Sequence, residues 1–442
     1  MFENPHPDEC ALIVDGKLWT YQQLGDLYSK TLEFLNRNQI SGKTVHLNSK
    51  FSAEGITALL ALWSLDCVVS LSTLKNEKID SEINLVLPSS IRVIFDKSEI
   101  KIFHDFQKTT RDHEFIEQLK NNSSPGLVIY TSGTMNKPKA VLHDVTKLSK
   151  RYTRQNRKFV TLLTMDFDRI GGLDLVFRTL MGNGTVIVPK NRRPGTILDA
   201  LNRYHVQVLP GTATLFRSIL LSEKDFDCEF DDLKYIVYGA EFMPQYLLNL
   251  IKIKFPKAEI MQTYGSTELG TLRTVRHGDD CQWLKLSSEG TEFRVNEGML
   301  EIKSKESMIG YLNAKSPFTK DGWYKTGDLV EQIGQRFRII GRRDDLINVG
   351  GNKVSPLEVE EVIQRIDGVY DATVYGVPNS ILGQIVEAKI ETYSLGKISP
   401  EDIRKFCAER LPRHAIPMKI KISLPEKAEN KMKKTRLNGG LI

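Results

Sequence analysis

The sequence predicts an α/β fold, with a large N-terminal domain of mainly parallel sheets flanked by helices and a small C-terminal α+β domain. Before residue 341, short apolar runs of strand length alternate with amphipathic helical stretches, as in parallel sheets joined by helices. A glycine-rich, charged segment then interrupts this texture. The 442 residues suffice for several domains, and a chain of this length needs no disulfide to build a core.

The first helix is predicted in "LWTYQQLGDLYSKTLEFLNRNQI", where Thr20 is a candidate N-cap. Its apolar residues recur at helical spacing and share one face: Tyr21, Leu24, Leu27, Tyr28, Leu32 and Leu35. The strands of the N-terminal domain are predicted in "VVSLS", "NLVLP", "IRVIF", "GLVIY", "TVIVP", "VQVLP" and "YIVYG". A later helix is predicted in "QYLLNLIKIKF".

The segment from Ile56 to Leu74 resembles a membrane span in composition. However, Asp66 lies inside it, and a central aspartate costs about 2.5–3.5 kcal/mol on insertion scales. We therefore predict a buried helix that runs into a buried strand, and no membrane span. The N-terminus has neither the basic start nor the apolar run of a signal peptide.

The C-terminal part shows two helix starts of the same type. Ser355 and Glu358 have the spacing of a capping box, with Pro356 at the first helical position. Ser399 and Pro400 repeat this arrangement. Strands are predicted between them, in "DATVYGV" and "EAKIETY", which gives a separate α+β unit of about a hundred residues.

The charge and cysteine content narrow the function. A net charge of +6, from 61 basic and 55 acidic residues, fits a soluble protein that handles anionic small molecules. No basic run is interleaved with aromatic residues, so we expect no nucleic-acid partner. The five cysteines lack CxxC or CxxH spacing, so we expect neither a disulfide framework nor structural zinc. These features predict a protein of the reducing cytoplasm.

The segment "YTSGTMNKPK" has the composition of a phosphate-binding loop, although the Walker pattern is absent. It follows the apolar strand "GLVIY" and combines hydroxyl donors, a glycine and two lysines: Thr131, Ser132, Gly133, Thr134, Lys137 and Lys139. The alternative is a surface turn with two solvated lysines.

Four further segments follow in order: "QTYGSTE", "GWYKTGD", "GRRDDLINVGGNKVSPLEVE" and "LPEKAENKMKK". With the loop, they resemble the motifs of the acyl-adenylate-forming enzymes, which include acyl- and aryl-CoA ligases, adenylation domains of peptide synthetases and beetle luciferase. The resemblance extends over nearly the whole chain and is weakest in the N-terminal part. It implies that ATP and a carboxylic acid form an acyl-adenylate, that pyrophosphate leaves, and that coenzyme A takes the acyl group.

The resemblance also implies roles in nucleotide binding. The loop from Thr131 to Lys139 would hold the departing β- and γ-phosphates, where negative charge accumulates. In "YGSTE", Tyr264 would stack on adenine, Gly265 would lie in the same nucleotide-binding turn, Thr267 would bond the α-phosphate and Glu268 would bind Mg²⁺. Alone, this segment would read as a turn with a helix N-cap.

Other positions match the ribose site, the hinge and the thiol tunnel. Asp328 would accept hydrogen bonds from both ribose hydroxyls, and Arg342 would add a second ribose contact. Asp344 matches the hinge about which the small, mobile domain swings, which divides the chain into 1–343 and 344–442. Gly350 and Gly351 would lie along the pantetheine arm of the thiol substrate; the alternative is a simple strand-to-strand turn.

The catalytic lysine is assigned from the register of "LPEKAENKMKKTRL" to Lys431, with Lys433 as the alternative. It would bridge the carboxylate and the α-phosphate as charge develops. Three residues differ from the family's loop pattern: Met135, Asn136 and Ala140. Because of these differences, the loop would close on the phosphates in a different way.

The acid pocket is predicted near "DRIGGL" and "YGAEFMP", with Asp168, Arg169, Gly239 and Ala240 as substrate-binding candidates. Arg169 either binds a second substrate carboxylate or pairs with Asp166 or Asp168; we prefer the pairing, because an unpaired buried arginine is costly. Asp168 would hold an ammonium group in an amino-acid-activating enzyme. The small residues favour an aromatic or fatty acid.

The resulting hypothesis is a cytoplasmic, ATP- and Mg²⁺-dependent acid–CoA ligase. One alternative is a stand-alone enzyme that loads an acyl or amino acid onto the phosphopantetheine of an acyl carrier protein. Another is a catalytically inactive nucleotide-binding relative, motivated by the altered loop.

Overall fold

The computed structural model describes residues 6–73, 86–87, 91–96, 99–104, 112–131, 138–152, 158–220, 222, 230–272, 274–275, 283–286, 290–392 and 394–424. Within them the strands up to the middle of the chain are β1 (Cys10–Val14), β2 (Lys17–Thr20), β3 (Thr44–Asn48), β4 (Val68–Ser72), β5 (Ile91–Asp96), β6 (Glu99–His104), β7 (Gly126–Thr131), β8 (Lys139–Asp144), β9 (Val160–Leu162), β10 (Thr185–Val188), β11 (Val208–Gly211), β12 (Tyr235–Tyr238) and β13 (Glu259–Gln262).

The later strands are β14 (Tyr264–Ser266), β15 (Gly270–Leu272), β16 (Thr274–Val275), β17 (Lys285–Leu286), β18 (Thr291–Asn296), β19 (Met299–Ser304), β20 (Gly310–Tyr311), β21 (Tyr324–Ile333), β22 (Arg336–Arg342), β23 (Ile347–Val349), β24 (Asn352–Val354), β25 (Val369–Asn379), β26 (Gly383–Thr392) and β27 (Lys419–Ser423). The α-helices are Tyr21–Arg37, Ala53–Ser64, Glu114–Asn121, Val145–Leu148, Ile170–Met181, Pro194–Arg203, Ala213–Leu220, Gln245–Lys254, Pro356–Ile363 and Pro400–Ala408.

Two mainly parallel sheets form the N-terminal part. The first has the order β20-β8-β7-β4-β3-β5-β6, in which β3, β4, β5 and β7 are parallel and β8 returns antiparallel to β7. The second has the order β13-β12-β11-β9-β10-β1-β2, in which only β2 runs antiparallel to its neighbour. The helices Tyr21–Arg37, Ala53–Ser64 and Ile170–Met181 contribute to one large apolar core cluster with strands of both sheets. The predicted α/β fold class is confirmed.

The first helix begins as its sequence predicts. The Thr20 hydroxyl accepts a hydrogen bond from the Gln23 amide at 3.2 Å, and the Gln23 side chain accepts one from the Thr20 amide at 3.0 Å. Together these bonds satisfy two of the donors that a helix start leaves free. The Tyr21 hydroxyl donates to the Gly184 carbonyl at 2.8 Å, which attaches the helix to the second sheet.

The span-like segment folds into two buried elements, as predicted. Helix Ala53–Ser64 ends just before Asp66, which adopts a left-handed conformation (φ 54°), and β4 follows directly. In the part of the chain that the structure describes, no helix has both the length and the hydropathy needed to cross a bilayer. The strand prediction for "NLVLP" is wrong at Val86, which is helical.

Two larger, mainly antiparallel sheets follow the parallel ones, besides the two-stranded antiparallel pairs β14-β15 and β16-β17. The first has the order β18-β19-β21-β22. The second, formed by residues after Asp344, has the order β24-β23-β26-β25, with β27 parallel to β26. Its core includes apolar residues of the helices Pro356–Ile363 and Pro400–Ala408.

The two helix starts of this C-terminal part differ. Ser399 and Asp402 form a complete capping box, as the Ser399–Pro400 pattern predicts. The capping box predicted for Ser355 and Glu358 is wrong: the Ser355 hydroxyl makes no cap bond and instead donates to the Ile340 carbonyl at 2.7 Å. The serine therefore connects its helix to β22, on the other side of Asp344.

A buried ion pair links the helix Ala213–Leu220 to the C-terminal sheet. Arg217 Nη1 lies 3.0 Å from Asp371 Oδ2, and the two side chains are 6% and 14% exposed. Asp371 also accepts a hydrogen bond from the Gln364 side chain at 2.8 Å, and Arg217 donates to the Tyr246 hydroxyl at 3.3 Å. These bonds satisfy much of the hydrogen-bonding capacity of two charged groups withdrawn from water.

His46 in β3 should make folding pH-dependent. The residue is 2% exposed, and its ring nitrogens lie 3.3 Å and 3.0 Å from the hydroxyls of Ser70 and Ser72. Burial, with a smaller effect of Arg92, lowers its pKa to about 4. Since an unfolded histidine has a pKa of about 6.5, the unfolded chain binds more protons between these values. The contribution to stability is present above about pH 6.5 and is lost as the pH falls towards 4.

We predict that the free energy of unfolding falls by about 2 kcal/mol less between pH 7 and pH 4.5 in His46→Gln than in the wild type. Urea unfolding at the two pH values measures this difference. Equal pH dependence of the two proteins would show that His46 titrates alike in both states, contrary to this expectation.

Candidate active site

The predicted acid-binding and adenine-binding segments meet at one edge of the second sheet. Because β9, β11, β12 and β13 are parallel, their carboxyl ends share an edge, where ligands bind in open α/β sheets. Asp168 and Arg169 follow β9, Gly239 and Ala240 follow β12, and Tyr264 follows β13. The segments are joined there, since the Thr263 amide donates to the Tyr238 carbonyl at 2.8 Å.

Gly239 and Ala240 occupy constrained positions at this edge. A Cβ atom on Gly239 would lie 2.6 Å from Thr263 Oγ1, so the position admits only glycine without a shift of its neighbour. Ala240 has a left-handed backbone (φ 65°), which is costly for a larger side chain.

The acidic side chains of the acid-binding segment are paired differently. Arg169 Nε lies 3.7 Å from Asp168 Oδ1, whereas Asp166 pairs with Arg192 at 2.7 Å. The preferred pairing of Arg169 with a neighbouring aspartate is therefore confirmed for Asp168. Asp168 is 7% exposed, and burial raises the pKa of its carboxyl group. The Arg169 side chain is half exposed, so water can solvate its charge, and leaving it partly unpaired costs less than for the buried arginine that we expected.

Tyr264, Asp328 and Arg342 lie together although they come from distant parts of the chain. The Tyr264 hydroxyl donates to Asp328 Oδ2 at 2.6 Å, and Arg342 Nε lies 3.6 Å from Asp328 Oδ1. Strands β21 and β22 place Asp328 opposite Arg342, and the Arg342 guanidinium also donates to the Thr326 carbonyl at 3.3 Å. Burial, and the neighbouring Asp328 carboxylate, raise the pKa of Tyr264 well above its usual value.

Glu268 is fixed at its main chain and at its side chain. The Met308 amide donates to the Glu268 carbonyl at 2.7 Å, and the Tyr311 hydroxyl donates to Glu268 Oε1 at the same distance. Within the described residues, no three His, Cys, Asp or Glu side chains group to hold a metal by themselves. One carboxylate fits Mg²⁺, which is commonly bound by one or two carboxylates together with substrate phosphates.

A buried polar network holds the backbone that carries Thr267 and Glu268, and none of its members was predicted. His143 Nε2 lies 2.7 Å from the Thr267 carbonyl, which can only accept, so this nitrogen carries the proton. Arg151 donates to the Leu269 carbonyl at 3.1 Å, and Asp174 accepts from the Thr271 amide at 2.7 Å.

Charge pairs add to the hydrogen bonds of this network. Arg151, with a 4% exposed side chain, lies 3.6 Å from Asp174 and 3.2 Å from Glu306. The Tyr152 hydroxyl bonds Asp174 as well. Burial lowers the pKa of His143 to about 4, so the ring is neutral at physiological pH.

The described part of the phosphate loop consists of its two arms. Thr131 ends β7 directly opposite Lys139 at the start of β8, and Lys139 Nζ lies 5.1 Å from the centre of the Tyr311 ring. The middle of the predicted loop lies outside the described residues: Ser132, Gly133, Thr134, Met135, Asn136 and Lys137.

The hinge and thiol candidates lie on either side of β23. Asp344 is in the short 3₁₀ helix Arg343–Asp345 that follows β22. Gly350 and Gly351 form the turn between β23 and β24, both with positive φ (56° and 87°). A strand-to-strand turn is thus observed, and a role in thiol binding stays a prediction. Lys431, Lys433 and Asn430 lie outside the described residues.

The packing around Gly270 leaves no room for a side chain next to Arg151. Its φ is +67°, and a Cβ atom there would lie 1.7 Å from Arg151 Nη1. We predict that Gly270→Ala lowers the free energy of unfolding by about 3 kcal/mol, because backbone strain and displacement of a buried guanidinium add. Gly298→Ala is the matched control, since Gly298 has φ +75° with open space around it, and should cost about 1 kcal/mol. Equal losses in urea unfolding would contradict the tight packing of Arg151.

Comparison with known proteins identifies the family. The family model described as AMP-binding enzyme matches residues 3–304, and that of the AMP-binding enzyme C-terminal domain matches residues 358–434. The 2-succinylbenzoate–CoA ligase of Bacillus subtilis is 26% identical over 98% of this chain and 95% of that protein. The 3-[(3aS,4S,7aS)-7a-methyl-1,5-dioxo-octahydro-1H-inden-4-yl]propanoyl:CoA ligase of Mycobacterium tuberculosis is 28% identical over 70% of this chain, and the match spans 65% of that relative's length.

Solved structures share the fold. The o-succinylbenzoate CoA synthetase of Bacillus subtilis, in complex with the acyl-adenylate intermediate OSB-AMP, has a TM-score of 0.76 at 23% identity, covering 99% of this chain and 97% of its own. ATP-bound MatB from Rhodopseudomonas palustris has a TM-score of 0.78 at 19% identity, with coverages of 97% and 94%. The resemblance to acyl-adenylate-forming enzymes is confirmed. The first family model covers more than half of the chain and includes Tyr264 and Glu268. The chain therefore belongs to the AMP-binding enzyme family.

Proposed function

We propose that the protein is an ATP-dependent acid–thiol ligase that joins an aromatic carboxylic acid to coenzyme A through an acyl-adenylate. The observation that carries the proposal is the cluster of Tyr264, Asp328 and Arg342 near the segment that presents Glu268. An aromatic ring, a carboxylate and a guanidinium suit the adenine and ribose of a nucleotide. The 2-succinylbenzoate–CoA ligases, similar over nearly their whole length, support the acid class and the thiol.

In the first half-reaction, a carboxylate oxygen of the acid attacks the α-phosphorus of ATP, and the bond from that phosphorus to the β-bridging oxygen breaks. Tyr264 would lie against adenine, with Gly265 beside it in β14, and Asp328 and Arg342 would hold the ribose. The Thr267 hydroxyl would bond the α-phosphate. Glu268 would hold Mg²⁺, which supplies positive charge for the phosphate oxygens.

The leaving pyrophosphate needs its own donors. Thr131 and Lys139 stand at the two arms of the loop, and Ser132, Gly133 and Thr134 complete it in the proposal. Lys431 would approach the reacting carboxylate and α-phosphate, where a fixed positive charge lowers the barrier. Pyrophosphate departs with the electron pair of the broken bond.

In the second half-reaction, the thiolate of coenzyme A attacks the acyl carbon, and AMP leaves. We place the domain boundary between residues 343 and 344, with Asp344 as the hinge about which the C-terminal domain rotates. The turn at Gly350 and Gly351 would then lie along the pantetheine arm, because two residues without a Cβ leave room for a thin chain.

The acid would occupy the sheet edge near Asp168, Arg169, Gly239 and Ala240. The small side chains at positions 239 and 240 would leave room for the ring of an aromatic acid. Because Arg169 pairs with Asp168, it would not serve only as a receptor for a substrate carboxylate.

The reducing cytoplasm is the proposed compartment, consistent with Cys10, Cys67 and Cys407 as free thiols.

We predict that pyrophosphate release depends on an aromatic acid, is accelerated by coenzyme A, and falls by about 100- to 1,000-fold in Lys431→Ala, as when one donor to a developing charge is removed. A panel of aromatic, fatty, dicarboxylic and amino acids, with and without coenzyme A, measures this. Lys433→Ala is the matched control, because it removes a lysine two positions away.

Other outcomes would redirect the proposal. Loss of activity in Lys433→Ala alone would move the catalytic role to that lysine. Acid-dependent release that coenzyme A does not accelerate would favour an acyl carrier protein as the thiol partner. ATP binding without release, for every acid of the panel, would contradict ligase activity and favour an inactive nucleotide-binding relative.

A further inference from the structure

We propose that Asn313 and Tyr311 are positioning residues that hold the Lys139 arm of the phosphate loop and the Glu268 carboxylate in a fixed relation. This inference rests on the proposed function and adds to it two residues outside its binding set. Both belong to one short segment, from Met308 to Asn313, which contacts the arm of the loop at one end and Glu268 at the other.

The segment is an edge strand of the first parallel sheet. Strand β20 pairs antiparallel with β8, placing Gly310 opposite Leu142 and Tyr311 opposite Val141. Two further bonds extend the pairing, since the Ile309 amide donates to the Leu142 carbonyl at 2.8 Å and the Leu312 amide donates to the Ala140 carbonyl at 2.9 Å. The backbone of the segment therefore has a fixed register with respect to Lys139.

Asn313 clamps the loop arm with both ends of its amide. Its Nδ2 donates to the Pro138 carbonyl at 2.8 Å, and its Oδ1 accepts from the Ala140 amide at 2.9 Å. The two bonds flank Lys139 on either side, so they fix the backbone from which this lysine reaches the phosphates. Both partners are main-chain atoms, so the clamp is compatible with alanine at position 140, where the family loop has glycine.

Asn313 is exposed, which separates its role from core packing. An exposed amide could bond water at both ends and gain little stability from these contacts. The two hydrogen bonds fix the backbone from Pro138 to Ala140 before ATP binds. This reduces the conformational entropy that the chain would otherwise lose on binding ATP.

Tyr311 fixes the other end. Its hydroxyl donates to Glu268 Oε1 at 2.7 Å, and its ring lies 5.1 Å from Lys139 Nζ. The hydrogen bond restricts rotation of the carboxylate, and the ring face attracts the ammonium group. Tyr311 therefore contacts both Glu268, which is proposed to bind Mg²⁺, and Lys139, which is proposed to bind the outer phosphates.

The test compares Asn313→Ala, Asn313→Asp and Tyr311→Phe with two matched controls. Asn38→Ala removes an exposed amide that donates to the Phe34 carbonyl at 2.8 Å, far along the chain from the site. Tyr375→Phe removes a phenol that donates to Glu387 at 2.8 Å in the C-terminal sheet. The readouts are KM for ATP and for the acid, kcat, Mg²⁺ half-saturation, calorimetric binding of ATP with and without Mg²⁺ in the absence of acid, and the urea midpoint.

For Asn313→Ala we expect the KM and the calorimetric Kd for ATP to rise about tenfold, the equivalent of two weak, solvent-exposed hydrogen bonds, with the KM for the acid unchanged. Asn313→Asp keeps the acceptor for the Ala140 amide but places a second acceptor against the Pro138 carbonyl and adds negative charge near the phosphates, so its ATP binding should fall at least as far as that of the alanine variant. In Tyr311→Phe the Mg²⁺ concentration for half-maximal activity should rise about tenfold, while ATP binding without Mg²⁺ stays unchanged. Neither control should change these quantities.

The inference would be overturned if Asn313→Ala and Asn38→Ala bind ATP equally well, or if the losses follow a lowered urea midpoint, since either result leaves only a structural role. It would equally be overturned if Tyr311→Phe kept the Mg²⁺ dependence of the wild type. A wild type that binds ATP but releases no pyrophosphate with any acid would contradict the proposed function alone. The calorimetric comparison would still decide the role of Asn313.

Discussion

The buried guanidinium of Arg151 is the constraint on which the centre of this molecule depends. A charge withdrawn from water is stable only where partners surround it. Here those partners are Asp174, Glu306 and the carbonyl of Leu269, which come from three separate elements. The helix Ile170–Met181, which follows the acid-binding segment, and the turn that carries Glu268 are therefore held to the same group.

This arrangement couples the two halves of the candidate site mechanically. Asp174 lies in the helix that begins just after Arg169, and its carboxylate also accepts a hydrogen bond from the Thr271 amide. The proposed acid-binding edge and the proposed nucleotide-binding segment consequently share contacts with the same charged group. A reaction that must bring a carboxylate oxygen within reach of a phosphorus atom benefits from such pre-set positions, because misplacement by about 1 Å costs large factors in rate.

Local sequence patterns predicted much of the fold because the forces behind them are local. The runs that became β4, β7 and β12 are continuous apolar segments of strand length, and Thr20 finds its capping partner only three residues away. Ser355 shows where this reasoning ends. Its neighbours match those of Ser399, but a carbonyl 15 residues earlier competes for its hydroxyl, and a sequence pattern contains no information about that carbonyl.

The same limit applies to the site. Tyr264, Asp328 and Arg342 were found because their motifs resemble those of a known family, although they are far apart in the sequence. His143 and Asn313 were missed because they bond main-chain atoms, so no partner residue type accompanies them. Arg151 was missed because its charged partners, Asp174 and Glu306, lie far from it in the sequence. Arg169 was placed correctly beside Asp168, but its exposure was not foreseen, since exposure depends on the packing of elements distant in the chain.

The ion pair between Arg217 and Asp371 has a consequence for the timing of a catalytic cycle. In the proposed rotation about Asp344, the two charges would separate and each would regain water, so the cost would be smaller than the about 3–5 kcal/mol lost when one partner of a buried pair is removed. The pair would still favour the observed orientation. The occupancy of the second orientation would then depend on how much binding energy the acyl-adenylate and the thiol contribute there, so ligands rather than thermal motion alone would advance the cycle.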